Sequence, residues 1–288
     1  MSVEASPAQL AALRDGDPAE RVALLRLVRA KDPAAYGRWL ETLDTAVHAS
    51  GGQRRYRGAV DAVLTDPALA LDELIVDEFP SRELAAESLR VANPHAGSAL
   101  ADAFVLAARP RRLPAWMLRG VGLWLRLRGA SRVRVALPAD TGNRAIDPSP
   151  EAFGAFLGEE PSRPLYVLNL NRHRDRAAYG RYGRNTLPHL LRRRAGPVFA
   201  ADALPALDGA ASHPLREAWD EILLVRYPSR AAMLDMLRDP EYQRGLPDRE
   251  QGLARAALVA TCPLPGGPGH YRDGPERSLA GGPAGETS

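Results

Sequence analysis

In residues 145–263 short apolar runs alternate with stretches of helical spacing. Leu165 to Asn171 is an apolar run of strand length. Asp175 then caps a segment whose inward positions, Tyr179, Tyr182, Thr186 and Leu190, recur near the 3.6-residue period of a helix. Gly196 supplies a helix stop, and Pro197 to Ala201 reads as a second strand. Ile222 to Tyr227 is a continuous apolar strand closed by Pro228. Ser229 caps a second helix running through Met233 and Leu237 to about Arg238, and Ala256 to Thr261 is the last strand. Ahead of these, Ser149-Pro150 with Phe153 and Phe156 predicts a short leading helix with proline at its first position.

The pattern occurs twice. Asp32-Pro33-Ala34-Ala35-Tyr36-Gly37-Arg38-Trp39 returns as Asp175-Arg176-Ala177-Ala178-Tyr179-Gly180-Arg181-Tyr182, a shift of 143. The same shift carries Ser6-Pro7 onto Ser149-Pro150, Pro18 onto Pro161, and Leu25 and Leu27 onto Leu168 and Leu170. After an insertion in the second copy, Asp72 to Arg82 matches Asp220 to Arg230, Asn93-Pro94 matches Asp239-Pro240, and Leu100 to Pro110 matches Leu253 to Pro263. Two α+β modules are therefore expected, at residues 1–110 and 145–263, each ordered strand-helix-strand-strand-helix-strand as in a ferredoxin-like sheet. Such a sheet leaves one face bare. The first and third strands are apolar at most positions, so a second sheet is the expected cover, and a tandem copy supplies it within one chain. A pseudo-dimer of this kind can remain a monomer.

Residues 111–144 are expected to form a connector, with a helix opened by Pro114 and running through Trp116, Met117, Trp124 and Leu127, then an edge strand over Arg132 to Leu137. A membrane-surface helix is the sharper alternative for the Trp/Arg segment. The Gly/Pro-rich tail, residues 264–288, shows no periodicity and is expected to be disordered.

Hydrophobic residues at 45% and charged residues at 25% fit a soluble globular chain. The net charge is +3, and Lys31 is the only lysine. The clusters Arg111-Arg112, Arg126-Leu127-Arg128 and Arg192-Arg193-Arg194 have no interleaved aromatic platform, so no nucleic-acid partner is expected. No signal peptide or spanning segment is read, so neither is a membrane partner, and a cytoplasmic location is expected. Cys262 alone excludes an internal disulfide and a multi-cysteine metal site. Nucleotide-loop, zinc-protease, nucleophile-elbow and Rossmann motifs are absent. His173 and His189 have no carboxylate at ligand spacing, so no metal centre is expected.

Ile146-Asp147-Pro148 with Pro150, Leu168-Asn169-Leu170, Tyr179, Trp219-Asp220, Tyr227-Pro228-Ser229 and Pro240-Glu241-Tyr242 resemble the dimeric α+β barrel superfamily, and within it a large uncharacterised branch. The resemblance covers nearly all of the second module and a degraded version of the first. It implies an intramolecular dimeric α+β barrel, and a superfamily that spans cofactor-independent oxygenases, haem-degrading enzymes, polyketide cyclases, isomerases and ligand sensors. The first copy departs from the pattern, with Arg26 at Asn169, Leu71 at Trp219 and His95-Ala96 in place of Glu241-Tyr242. It is read as structural, and any site is placed in the second.

Comparing the copies gives the candidate residues. Asn171 stands at Val28, Thr186 at Leu43 and His189 at Ala46. Polar groups at inner positions predict a wet or ligand-filled hollow, because burial without partners is costly. Asn169, Tyr182 and His189 are the catalytic candidates, as donors to an enolate or oxyanion. Asn171, Tyr179, Thr186, Trp219 and Arg226 are candidates to bind substrate. Each has a plainer reading: the asparagines as register-fixing hydrogen bonds, His189 as a surface histidine beside Arg192–Arg194, Tyr179 as core, Trp219 as a packing anchor, His213 as an ordinary loop histidine. The leading expectation is a small-molecule enzyme without a tightly bound cofactor, an oxygenase or cyclase acting on an aromatic or polyketide-like substrate. A non-catalytic ligand-binding protein stays open, as does a haem-binding monooxygenase using His189.

Overall fold

The computed structural model describes residues 6–66, 68–127, 129, 133–158, 162–208, 213–216 and 218–264. Eight strands form one closed antiparallel barrel: β1 (Val22–Ala30), β2 (Gln53–Val63), β3 (Glu73–Phe79), β4 (Leu100–Pro110), β5 (Leu165–His173), β6 (Gly196–Asp208), β7 (Glu221–Tyr227) and β8 (Leu253–Pro263). Their order around the barrel is β1-β3-β2-β8-β5-β7-β6-β4. The first four strands are thus contiguous in the order 4-1-3-2 and the last four in the order 8-5-7-6, and the ring closes through β2–β8 and β4–β6. Closure removes every sheet edge.

The helices lie outside: α1 (Pro7–Arg14), α2 (Pro33–Ala49), α3 (Arg82–Ala92) and α4 (Ala96–Ala99) with the first half, α5 (Ala115–Leu127) between the halves, and α6 (Pro150–Gly158), α7 (Arg176–Arg192), α8 (Arg230–Leu237), α9 (Pro240–Gln243) and α10 (Leu246–Gly252) with the second. The predicted caps are present. Asp32, Asp175 and Ser229 accept from the first-turn amides of α2, α7 and α8.

β1, β5 and β7 are covered on both faces, which is why they read as largely apolar runs, while β2 keeps polar, partly exposed residues. Alternate residues of β1, β5 and β7, such as Leu25, Leu27, Leu168, Leu170, Ile222 and Leu224, fill the barrel interior. The intervening residues meet the helices. In the first half this outer layer joins Val22, Leu24 and Val28 to Trp39, Leu43, Ala86 and Leu89. In the second it joins Val167, Val225 and Ala260 to Phe156, Leu190, Met236 and Tyr242.

The connector departs from expectation. Its helix forms and docks on α7 through buried Leu125 and through Arg126 Nη1, which donates to Leu191 O at 3.2 Å. The opposite face is bare, with Trp116 80% and Leu127 79% exposed. Residues 133–137 form no strand, and Arg132 lies outside the described residues. The segment is held instead by Val135 N donating to Arg238 O at 2.9 Å and Gln243 Nε2 donating to Ala136 O at 2.8 Å. The barrel has no unpaired edge to offer a further strand. The tail predicted to be disordered lies, past Leu264, outside the described residues. Among the described residues no helix is long and apolar enough to cross a membrane.

Candidate functional site

β5 is flanked by β7 and β8, so its mid-strand residues reach solvent only through the helix layer. Leu165, Val167 and Asn171 on its outer face are buried, yet Asn169 between them is partly exposed. So are its two register partners, Leu223 on β7 and Leu258 on β8. These three residues form the floor of a recess in the second half's sheet–helix layer. Asn169 Nδ2 donates to Val167 O at 2.9 Å, and its Oδ1 accepts no hydrogen bond among the described residues. The floor is thus apolar with one free acceptor at its centre.

The inner face of α7 adds polar and aromatic groups. Neighbouring ring centroids lie 4.9 Å (His173–Tyr179), 5.7 Å (Tyr179–Tyr182), 6.4 Å (Tyr182–Tyr242) and 6.3 Å (Tyr242–His189) apart, a continuous aromatic chain from one end of the layer to the other. Tyr182 and Tyr242 share a hydroxyl hydrogen bond at 3.1 Å. Thr186 is buried, and its Oγ1 has no hydrogen-bond partner among the described residues. Close approach of the chain here depends on Gly252, where a Cβ would lie 2.6 Å from Tyr179 N. Its carbonyl also receives Arg174 N and Asp175 N at the start of α7.

Two ionic clusters bracket the chain. At one end Asn171 Nδ2 donates to Tyr179 Oη at 2.8 Å and to Glu221 Oε2 at 3.2 Å, with Arg111 on the other carboxylate oxygen and His173 Nε2 3.7 Å away. Burial works against the Glu221 charge, but His173, Arg111 and Asn171 outweigh it and hold the carboxyl down at about 2. Burial, with Glu221 and Tyr182 nearby, pushes the Tyr179 phenol well up, so it stays protonated. At the other end His189 Nδ1 lies 3.1 Å from Asp239 Oδ2, which also accepts from Arg193 Nη2 at 3.0 Å. Burial lowers the His189 pKa, Asp239 only partly opposing it, so the ring is a neutral base.

The sequence-derived candidates divide accordingly. Asn171, Tyr179, Tyr182 and His189 are linked through these hydrogen bonds and ring contacts, and Asn169 and Thr186 lie on the same helix-facing side of the second half without a contact to them. The space between the two sheets is the apolar barrel interior and holds none of them. His189 is 4% exposed and not a surface histidine. It and His173 do have carboxylate neighbours, Asp239 and Glu221, which sequence spacing hid because each is about fifty residues away and is brought in by another element. Among the described residues no cluster suits a metal ion. Trp219 and Arg226 fall apart from the recess. Trp219 is buried in the barrel core with Nε1 donating to Leu215 O at 2.8 Å, and Arg226 lies on the barrel-facing side of β7. His213 is buried and stacks on Phe104 at 5.4 Å, not free in a loop. Sequence reading missed Leu223, Leu258, Glu221 and Asp239. The usable signal was strand register, since Asn169 lies opposite Leu223 and Leu258.

No protein-family model matches the chain, and no curated protein matches it by sequence. Among solved structures, the RPA0582 protein of unknown function from Rhodopseudomonas palustris is 30% identical over 41% of this chain and 96% of its own, with a TM-score of 0.36. An anthrone oxidase-like protein is 10% identical over 86% of this chain and 94% of its own, with a TM-score of 0.45. A mutant chlorite dismutase from Candidatus Nitrospira defluvii is 8% identical over 86% of this chain and 93% of its own, with a TM-score of 0.48. The Rhodopseudomonas protein is thus matched along nearly its whole length by about two fifths of this chain.

Proposed function

We propose that this chain is a small-molecule enzyme whose site is the recess over Asn169, built from two ferredoxin-like copies of which only the second keeps a site. The carrying observation is the contrast between equivalent rows. Asn169, Leu223 and Leu258 are all partly exposed, while Arg26, Ile75 and Val105 in the first half are 2%, 0% and 5% exposed. An apolar floor with a single amide acceptor suits a largely apolar, planar substrate that presents one hydroxyl. Tyr182 and the protonated Tyr179 are hydrogen-bond donors for a developing oxyanion or enolate, and neutral His189 is a base whose reach toward the recess runs past Tyr242. These are the requirements of a cofactor-independent oxygenation or cyclisation of an aromatic or polyketide-like substrate. The dimeric α+β barrel resemblance favours the same chemistry.

Haem held by His189 is the less favoured reading, because the ring is 4% exposed and packed edge-on against Tyr242. The test is oxygen uptake and product formation over a panel of polycyclic phenols, with Asn169→Ala beside the unmodified chain. Turnover lost in a variant that melts normally supports the reading. Equal turnover removes Asn169 from the mechanism, and saturable binding of a panel member with no turnover leaves a ligand-binding protein instead.

A further inference from the structure

On the opposite face of the same strands lies a second cavity. It opens at the barrel end where β1, β2, β5 and β6 begin and β3, β4 and β7 finish, and it encloses about 360 Å³. That volume is near the lower end of small-molecule pockets, roughly 300–1,000 Å³. Its deep wall is apolar and aromatic, with Val76, Leu224, Phe199 and the paired rings of Tyr56 and Tyr166, whose centroids are 4.8 Å apart. The Tyr56 hydroxyl is tied to Thr261 Oγ1 at 2.7 Å. The barrel accommodates that hydroxyl only because position 58 is glycine, where a Cβ would fall 2.2 Å from it.

The rim is cationic. Arg21, Arg55, Arg111 and Arg112 line the cavity against one carboxylate, Glu78. Glu78 is shared between Arg21 and Arg55, and Arg111 is committed to Glu221 outside the cavity. Arg112 is exposed and has no ion pair among the described residues. One carboxylate between two guanidinium groups, with a free guanidinium beside them, leaves uncompensated positive charge above an aromatic floor.

We propose that the barrel mouth is a binding site for an aromatic carboxylate, distinct from the recess over Asn169. The carboxylate is held by Arg112 with the Arg21–Arg55 pair, in the forked geometry guanidinium groups favour, and the ring lies between Phe199 and the two tyrosines. Two properties separate this from a merely solvated mouth: the ligand's charge is required, and a bulky side chain at the half-buried rim displaces it.

Calorimetric titration of the full chain with 2-naphthoate, and with neutral 2-naphthamide as its isostere, tests it. The acid binds saturably, one molecule per chain, and the amide binds at least about tenfold more weakly, the loss expected for one charge-assisted pair. Arg112→Glu lowers the affinity for the acid by a similar factor, and Val198→Trp, which fills the half-buried rim of the cavity, abolishes binding. Both positions reach solvent, so both variants are expected to fold, and unchanged melting verifies it. Asn169→Ala leaves this affinity unchanged, which keeps the result independent of the enzymatic reading. No saturable binding of the acid, equal affinity for acid and amide, or affinity indifferent to Arg112→Glu each overturns the proposal.

Discussion

Arg26 and Asn169 occupy matching places in the two halves, the middle of a central strand beneath a long helix. In the first half the guanidinium fills that place. Arg26 Nη1 donates to Asp77 Oδ2 at 2.5 Å, Arg54 Nε donates to Asp77 Oδ1 at 2.8 Å, and Asp77 is fully buried. In the second half Val225 stands where Asp77 does, so a matching arginine would have no counter-ion. A shorter amide takes its place, and the layer opens. One scaffold thus carries either a sealed ionic plug or a recess at the same strand position, and the choice depends on one ion pair.

Removing the counter-ion from the plug has the largest expected effect. Asp77→Ala leaves Arg26 charged and buried beside Arg54, and breaking a buried pair in this way costs about 3–5 kcal/mol. Chemical denaturation of the variant measures it. A loss below about 1 kcal/mol would mean that water reaches Arg26 and that the first half is not sealed. Next in size is the reciprocal change. Asn169→Leu fills the recess with an apolar side chain next to Leu223 and Leu258, and cavity filling of this kind stabilises by about 0.5–2 kcal/mol. The thermal midpoint should rise while any ligand of the recess is lost. A lowered midpoint would show that the space over Asn169 is already packed.

Much of this was legible in the chain. The apolar runs read over Leu165–Asn171, Pro197–Ala201, Ile222–Tyr227 and Ala256–Thr261 fall within β5, β6, β7 and β8, and the continuous apolar runs of β1 and β7 implied sheets covered on both faces. Swapping Val28, Leu43 and Ala46 for Asn171, Thr186 and His189 marked the second half as the polar one. Side-chain direction was not legible from the exchanges alone. An apolar strand buried on both faces gives no alternation to tell the barrel side from the helix side, so Trp219 and Arg226 were grouped with residues on the other surface. The partners of His173 and His189 were hidden for a different reason. Glu221 and Asp239 belong to elements that meet those histidines only after the sheet and the helices of the second half have assembled.

The smallest expected effect is a pH dependence that the first half lacks, because Ala46 stands at the position of His189. The folded chain lowers the His189 pKa below its ordinary 6.5, chiefly by burial. The unfolded chain therefore takes up this proton first as pH falls. Stability from the neutral ring is complete above about 6.5 and declines as pH drops toward the folded value. Buried His213 has a lowered pKa for the same reason and adds a slope of the same sign, so the measurement needs His189→Gln in both the native and the His213→Gln background. Glu221 acts in a separate, more acidic window. Its contribution is present above about 4.5 and disappears as pH approaches 2. The expected result is a shallower dependence of the thermal midpoint on pH just below 6.5 in each His189→Gln variant. A slope indifferent to His189 would place that ring in water rather than in the buried contact with Asp239 and Tyr242.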